Sequence, residues 1–232
     1  MAGGVLNCSQ WSPSGDPPTC SESKTEIVDL TDPSKACLLD VHDAIPQRKH
    51  SVGGLLGTTP VICGSYNGYD CVLLGTSQVI TMNNKRSGAS SVAINGNKMW
   101  ILGGYGNDYS IIYDSTEFIT LNGTEMGPKL PESVAFPCAV KFPETGDIYL
   151  IGGDTGGPDG RIKNVWVASP SNEYASFSQG PSLMTARYYH SCGTMSIGAR
   201  NIIVVAGNRG GAGSPVEILD PLSLTNQWIG GK

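Results

Sequence analysis

The chain has 232 residues, a net charge of −5 and 15% charged side chains. This mild acidity gives no electrostatic basis for binding nucleic acid or an anionic membrane surface, and no apolar run reaches the roughly 18 residues of a membrane-spanning helix. With 31 glycines and 15 prolines, the composition favours many short strands and tight turns over long helices.

The chain opens on MAGGVLNCSQW, which lacks the basic start and long apolar core of an intact signal peptide. Its first four residues, ending at Gly4, read as the end of a strand. A proline- and serine-rich loop follows, then a strand at TEIVDL (25–30). The next unit holds SVGGLL (51–56), PVICG ending at Gly64, CVLL (71–74) and QVITM (78–82). SSVAI (90–94) then turns at Asn95-Gly96, a strong hairpin signal, into MWILGG, which ends on Gly103 and Gly104; TEFITL (116–121) comes after. CAVKF (138–142) leads through PETGD into DIYLIGG, ending on Gly152 and Gly153, followed by NVWVAS (164–169) and EYASF (173–177). The last unit is HSCGTM (190–195), NIIVVAG ending at Gly207, VEILD (216–220) and NQWI (226–229).

An apolar strand that stops on glycine therefore recurs at positions 4, 64, 104, 153 and 207, at intervals of 60, 40, 49 and 54 residues. A period near fifty that varies with loop length marks an array of small supersecondary units. Each unit reads as four antiparallel strands, the second nearly all apolar because it is buried on both faces. The glycines sit where the chain must turn in a crowded place, since glycine lacks a Cβ and reaches unusual φ angles. No GxxxxGK[ST] pattern follows any doublet, so a phosphate-cradling role is not expected.

These features resemble the kelch repeat, whose fold is an all-β propeller of four-stranded antiparallel blades. Tyr105 and Trp228 resemble the family's aromatic signature. Cys63-Gly64 and Ala206-Gly207 depart from it by losing one glycine of the doublet. The resemblance implies a single propeller domain over 1–232, with a partial blade at 1–46 and blades at 47–84, 85–130, 131–183 and 184–232. About five blades are visible. They form part of a larger ring, a closed five-bladed one, or half of an assembly. An open ring would expose a blade face and unpaired edges, which favours self-association.

Seven cysteines with no zinc-type spacing point to an oxidising compartment with disulfides. Cys63 and Cys71 flank a loop that folds back within one unit, and Cys8 and Cys20 flank the equivalent loop of the first unit; these are the two expected pairings. Cys37 is a further candidate partner. Cys138 and Cys192, on first strands, are expected to be small buried hydrophobes. Asn7 and Asn122 head candidate N-glycosylation sequons. Extracellular animal kelch proteins carry patterns similar to TEIVDLTDPSKAC followed by GGLLGTTPVICG, which implies secretion; a cytoplasmic location is the alternative.

Of three histidines, His42 carries no motif, while His50 and His190 are expected at equivalent places where a first strand begins. With Arg48, Arg86, Arg187 and Tyr189 they form a candidate ring around the channel rim, suited to an anionic or polar ligand. The competing reading makes these side chains structural partners between blades. Glu26, Glu117 and Glu217 recur on third strands, away from the channel, as ion-pair or turn partners. Copper radical oxidases on this architecture need two His, a Tyr–Cys crosslink and a further Tyr, which this chain does not assemble convincingly. No GxSxG, HExxH or calcium-loop pattern appears.

No catalytic residue, metal ligand or cofactor is therefore expected. The favoured function is a non-catalytic extracellular module that recognises a protein or glycan through its loops or channel rim. An intracellular kelch-type adaptor is the alternative, and an enzyme at the channel mouth is less favoured.

Overall fold

The computed structural model describes residues 48–65, 68–106, 110–209 and 215–230, together with the backbone of two paired segments, 25–28 and 36–39. Gly4, Asn7, Cys8, Cys20 and His42, and the side chains of Glu26 and Cys37, lie outside the described residues.

The fold is all-β. Strands β1 (Thr25–Val28) and β2 (Ala36–Leu39) pair antiparallel. A first four-stranded antiparallel sheet takes β3 (Val52–Leu56), β4 (Thr59–Cys63), β5 (Asp70–Leu73) and β6 (Val79–Thr81) in chain order. The second sheet contains β7 (Ser90–Asn95), β8 (Lys98–Leu102), β11 (Thr116–Thr120) and β12 (Gly123–Met126), with a small ribbon of β9 (Tyr105–Gly106) and β10 (Ile111–Ile112) inserted between. The third holds β13 (Cys138–Lys141), β14 (Ile148–Ile151), β15 (Val165–Ala168) and β16 (Phe177–Gln179). The fourth holds β17 (Ser191–Ile197), β18 (Arg200–Ala206), β19 (Glu217–Leu219) and β20 (Ile229–Gly230).

The sheets stack in sequence, with first strands in contact: β3 on β7, β7 on β13, β13 on β17. Second strands are apolar over most of their length because alternate side chains feed different cores. Met99 and Ile101 of β8 pack with Val61 and Leu73 of the first sheet. Trp100 and Leu102, one residue away, pack with Ile148 and Leu150 of the third. Tyr149 and Ile151 then join Ile203, Val205 and Leu219 of the fourth. Trp100 is fully buried and stacks against Phe118 (4.9 Å) and Phe177 (5.3 Å). On the two end sheets, Leu55, Val79, Met195 and Ile197 remain exposed.

Two strand assignments from the sequence move. EYASF does not form the fourth strand of the third sheet: Pro170–Asn172 make a 3-10 turn, and Glu173 and Tyr174 follow in left-handed conformations (φ 57° and 59°), which no strand can contain. The strand starts at Phe177 instead. NQWI is likewise displaced, because Asn226 has φ 41° and pairing begins only at Ile229. The second sheet gains a fourth strand, GTEM, that its polar sequence did not advertise.

Cys63 and Cys71 face each other across β4 and β5 and form a buried disulfide, as their loop spacing suggested. Cys138 and Cys192 are not the isolated buried thiols expected. They form a second disulfide, from β13 to β17, that joins the third and fourth sheets through their first strands. Residues 54 apart meet only because consecutive first strands lie side by side.

Candidate functional site

Each sheet is entered through the same short segment before its first strand. The four aligned segments begin at Arg48, Arg86, Val134 and Arg187. Two residues further on, the chain is left-handed in all four: His50 (φ 57°), Gly88 (φ 62°), Phe136 (φ 50°) and Tyr189 (φ 51°). Three of these are aromatic rather than glycine, and a left-handed residue with a Cβ is disfavoured by roughly 1–2 kcal/mol. The backbone also links the segments: Gly88 N donates to His50 O (2.8 Å), and Phe136 N donates to Gly88 O (2.6 Å).

The first residue of each segment is structural. Arg86 is 2% exposed and Arg187 0%. Arg86 donates through Nε to Glu117 (3.0 Å), through Nη1 to the carbonyls of Gly103 (2.7 Å) and Ser115 (2.9 Å), and through Nη2 to Ser115 Oγ (2.8 Å). Arg187 repeats the pattern with Glu217 (3.1 Å and 2.8 Å), Gly207 O (3.0 Å) and Pro215 O. Each carboxylate also accepts two backbone N–H groups, from Asn83 and Asn84 at Glu117 and from Met184 and Thr185 at Glu217. Arg48 reaches Gly64 O (3.0 Å), Asp70 O (3.2 Å) and the Asp70 carboxylate (2.5 Å). The three arginines thus tie the glycine end of the second strand to the start of the third. These bonds match the competing structural reading of the arginines. In the third sheet Val134 replaces the arginine, and Glu132 instead accepts from Asn164 (2.6 Å) and the Trp166 indole (2.8 Å).

The glycines explain the spacing between sheets. Gly64, Gly103 and Gly152 have φ of 70°, 63° and 57°, and a Cβ at each would collide with the carbonyl of Arg86, Val134 and Arg187 in the next sheet. Immediately after each, a backbone N–H reaches that same carbonyl: Ser65 to Arg86 (3.0 Å), Gly104 to Val134 (2.8 Å) and Gly153 to Arg187 (2.7 Å).

His50 and His190 are not equivalent. The left-handed partner of His50 is Tyr189, one residue earlier, and their rings meet at 5.5 Å. His190 turns inward to Ile151 O (3.0 Å) while its Nδ1 is buried without a partner. Burial holds its pKa down at about 4, with Arg187 adding to the depression and the Ile151 contact opposing it.

What converges is an aromatic cluster. His50 meets Phe136 edge-on at 5.0 Å, and Phe136 stacks on Tyr189 at 3.7 Å. Tyr105 and Tyr188 extend it, at 5.5 Å from Phe136 and 5.1 Å from Tyr189. Gly88 makes the meeting possible, because a Cβ there would strike the Phe136 ring. The five rings are all half-buried. Arg209 lies over Tyr189 at 5.2 Å, and exposed Lys49 adjoins His50. Burial, then Lys49 and Arg209, lower the His50 pKa, so the imidazole is neutral at pH 7. Tyr105 donates to Asp154 (3.0 Å); burial and this bond raise its pKa, so it stays a phenol. Sequence reasoning missed Phe136, Tyr105 and Arg209 in this cluster, though Phe136 holds the same offset from Val134 as His50 from Arg48.

The arrangement offers aromatic surface, a phenol and two flanking cations, the equipment of a binding site. Among the described residues, no three His, Cys, Asp or Glu side chains are grouped as metal ligands. Asn122 is exposed in the turn between β11 and β12. No protein-family model matches the chain, and no curated protein matches it significantly.

Proposed function

We propose that the chain is a stretch of kelch-type β-propeller acting outside the cell as a non-catalytic binding module, with a protein or glycan ligand docking on the aromatic cluster around His50, Phe136 and Tyr189. Four similar antiparallel sheets stacked through their first strands support the propeller reading. Two disulfides support an oxidising compartment.

The observation that carries the binding role is the set of three aromatic residues in left-handed conformation at equivalent points of separate sheets. Backbone strain of this kind persists where a surrounding structure enforces it, and it concentrates at ligand sites. The turn itself does not require a ring, since Gly88 makes it as well. The arginines and glutamates of the repeat are committed to internal bonds, which leaves the rings and their flanking cations as the recognition chemistry.

The test is a binding screen of the folded chain against immobilised glycans and extracellular proteins, repeated with Tyr189→Leu and Phe136→Leu. A ligand whose binding weakens in both variants, with the fold retained by circular dichroism, supports the reading. Binding indifferent to both variants places the site elsewhere.

A further inference from the structure

The aromatic cluster has a defined charge. Arg209 sits 5.2 Å from the centre of the Tyr189 ring, so a group resting beside that ring is within ion-pair reach of the guanidinium. Lys49 precedes His50 in the chain and is exposed. Both cations act on His50, lowering its pKa, which places them in one electrostatic environment. Among the described residues, the acid bonded to the cluster is already engaged: Asp154 accepts from the Tyr105 hydroxyl (3.0 Å) and, through its other oxygen, from Gly156 N (2.9 Å). Among the described residues, the site therefore combines half-buried ring surface with two exposed cations, in a chain whose net charge is −5.

The backbone argues about the class of partner. A peptide that binds by strand addition needs a row of unpaired N–H and C=O groups. Here several backbone groups around the cluster are taken by sheet-to-sheet bonds. Gly88 and His50 are joined, Phe136 and Gly88 are joined, and Ser87 and Tyr105 pair through both N–H groups (2.9 Å and 2.7 Å). The remaining chemistry is side-chain chemistry: ring surface for an apolar face, and cations for an anion.

We propose that the cluster of His50, Phe136 and Tyr189 flanked by Lys49 and Arg209 binds a carboxylated sugar of an acidic glycan, the C–H face of the pyranose lying against the aromatic rings and the carboxylate meeting Arg209 and Lys49. This rests on the binding-module reading above and names its ligand class.

The test is titration calorimetry of the folded chain with a short oligosaccharide alternating glucuronic acid and N-acetylglucosamine. The same oligosaccharide with its carboxyl groups reduced to alcohols and a glutamate-rich peptide of equal charge serve as comparisons. The acidic sugar is expected to bind, with affinity falling as salt rises. Carboxyl reduction should weaken binding by about tenfold or more, the worth of a charge-assisted hydrogen bond. Arg209→Gln should do the same, and Lys49→Gln should act in the same direction. Both residues are exposed, so thermal melting of the variants should match the parent. Equal binding of the carboxyl-reduced sugar overturns the acidic class and leaves the binding module standing. Binding of the peptide alone overturns the sugar and points to a protein ligand. Binding of the acidic sugar unchanged in Arg209→Gln and Lys49→Gln overturns the site. No binding of any of the three overturns the proposal, while the broader screen with Tyr189→Leu still decides the reading beneath it.

Discussion

Replacing Glu117 with alanine tests whether the repeated arginine–glutamate pairs hold the sheets together. Both partners are buried, with side-chain exposures of 1% for Arg86 and 0% for Glu117. The carboxylate accepts from Arg86 Nε (3.0 Å), from the backbone N–H of Asn83 (2.7 Å) and Asn84 (3.1 Å), and from both asparagine amides. Its removal leaves a guanidinium buried without a counter-charge and two backbone donors without acceptors. Breaking a buried pair from one side costs about 3–5 kcal/mol. For a chain of this size that corresponds to a fall in Tm of roughly 6–20 °C. Arg86→Met added to Glu117→Ala removes the uncompensated charge, so the double variant should lose less than the sum of the singles, with a coupling of about 0.5–3 kcal/mol. Urea denaturation of the parent, the two single variants and the double variant measures all four terms. A loss under about 1 kcal/mol in Glu117→Ala, the range of an exposed ion pair, or strict additivity in the cycle, would refute the structural role and return Arg86 to the list of ligand-binding candidates.

Three further outcomes are expected. Cys138→Ser with Cys192→Ser should destabilise the chain by about 2–5 kcal/mol without changing its fold, and peptide mapping without reduction should recover a Cys138–Cys192 linked pair; free thiols at both positions would contradict the staple between sheets. His190, held near pKa 4 by burial and near 6.5 when unfolded, binds its proton more readily in the unfolded chain. Its contribution to stability is therefore complete above pH 6.5 and is lost as pH falls toward 4, by roughly 2–3 kcal/mol, so His190→Gln should flatten the difference between denaturation at pH 4.5 and pH 7.5; an unchanged difference assigns it to other groups. Gly103→Ala should be far more damaging than Gly57→Ala: both glycines have positive φ, 63° and 65°, but only the Gly103 Cβ would meet the Val134 carbonyl, while the space a Gly57 Cβ would take is open. Gly57→Ala should cost about 1 kcal/mol, and equal melting of the two variants would remove the close approach from the account.

The division between sequence and tertiary structure follows from what each kind of pattern encodes. Strand positions were written locally. A run such as Met99–Leu102 must be a strand buried on both faces, because neighbouring residues of one strand point to opposite sides and all four are apolar. The glycines that end these runs were likewise readable as turns under crowding, and the Cys63–Cys71 pair as a closed short loop. Fourth strands were read poorly, because polar edge segments such as Gly123–Met126 and Phe177–Gln179 are strands only through their pairing to a third strand.

Partnerships between distant residues were decided by the stacking alone. Arg86 and Glu117 stand 31 residues apart and Cys138 and Cys192 stand 54 apart, and no local rule links them until sheets and strands lie side by side. The register of the histidines is the sharpest case. In sequence, His50 and His190 each precede a first strand and look alike. In space, the left-handed turn falls on His50 and on Tyr189, so one ring joins the cluster while the other is buried against Ile151. A shift of one residue along an extended chain reverses the side to which a side chain points. Sequence by itself therefore determined the inner strands, the glycine turns and the repeat; the tertiary structure decided the edge strands, which side chains became internal ties and which rings converged.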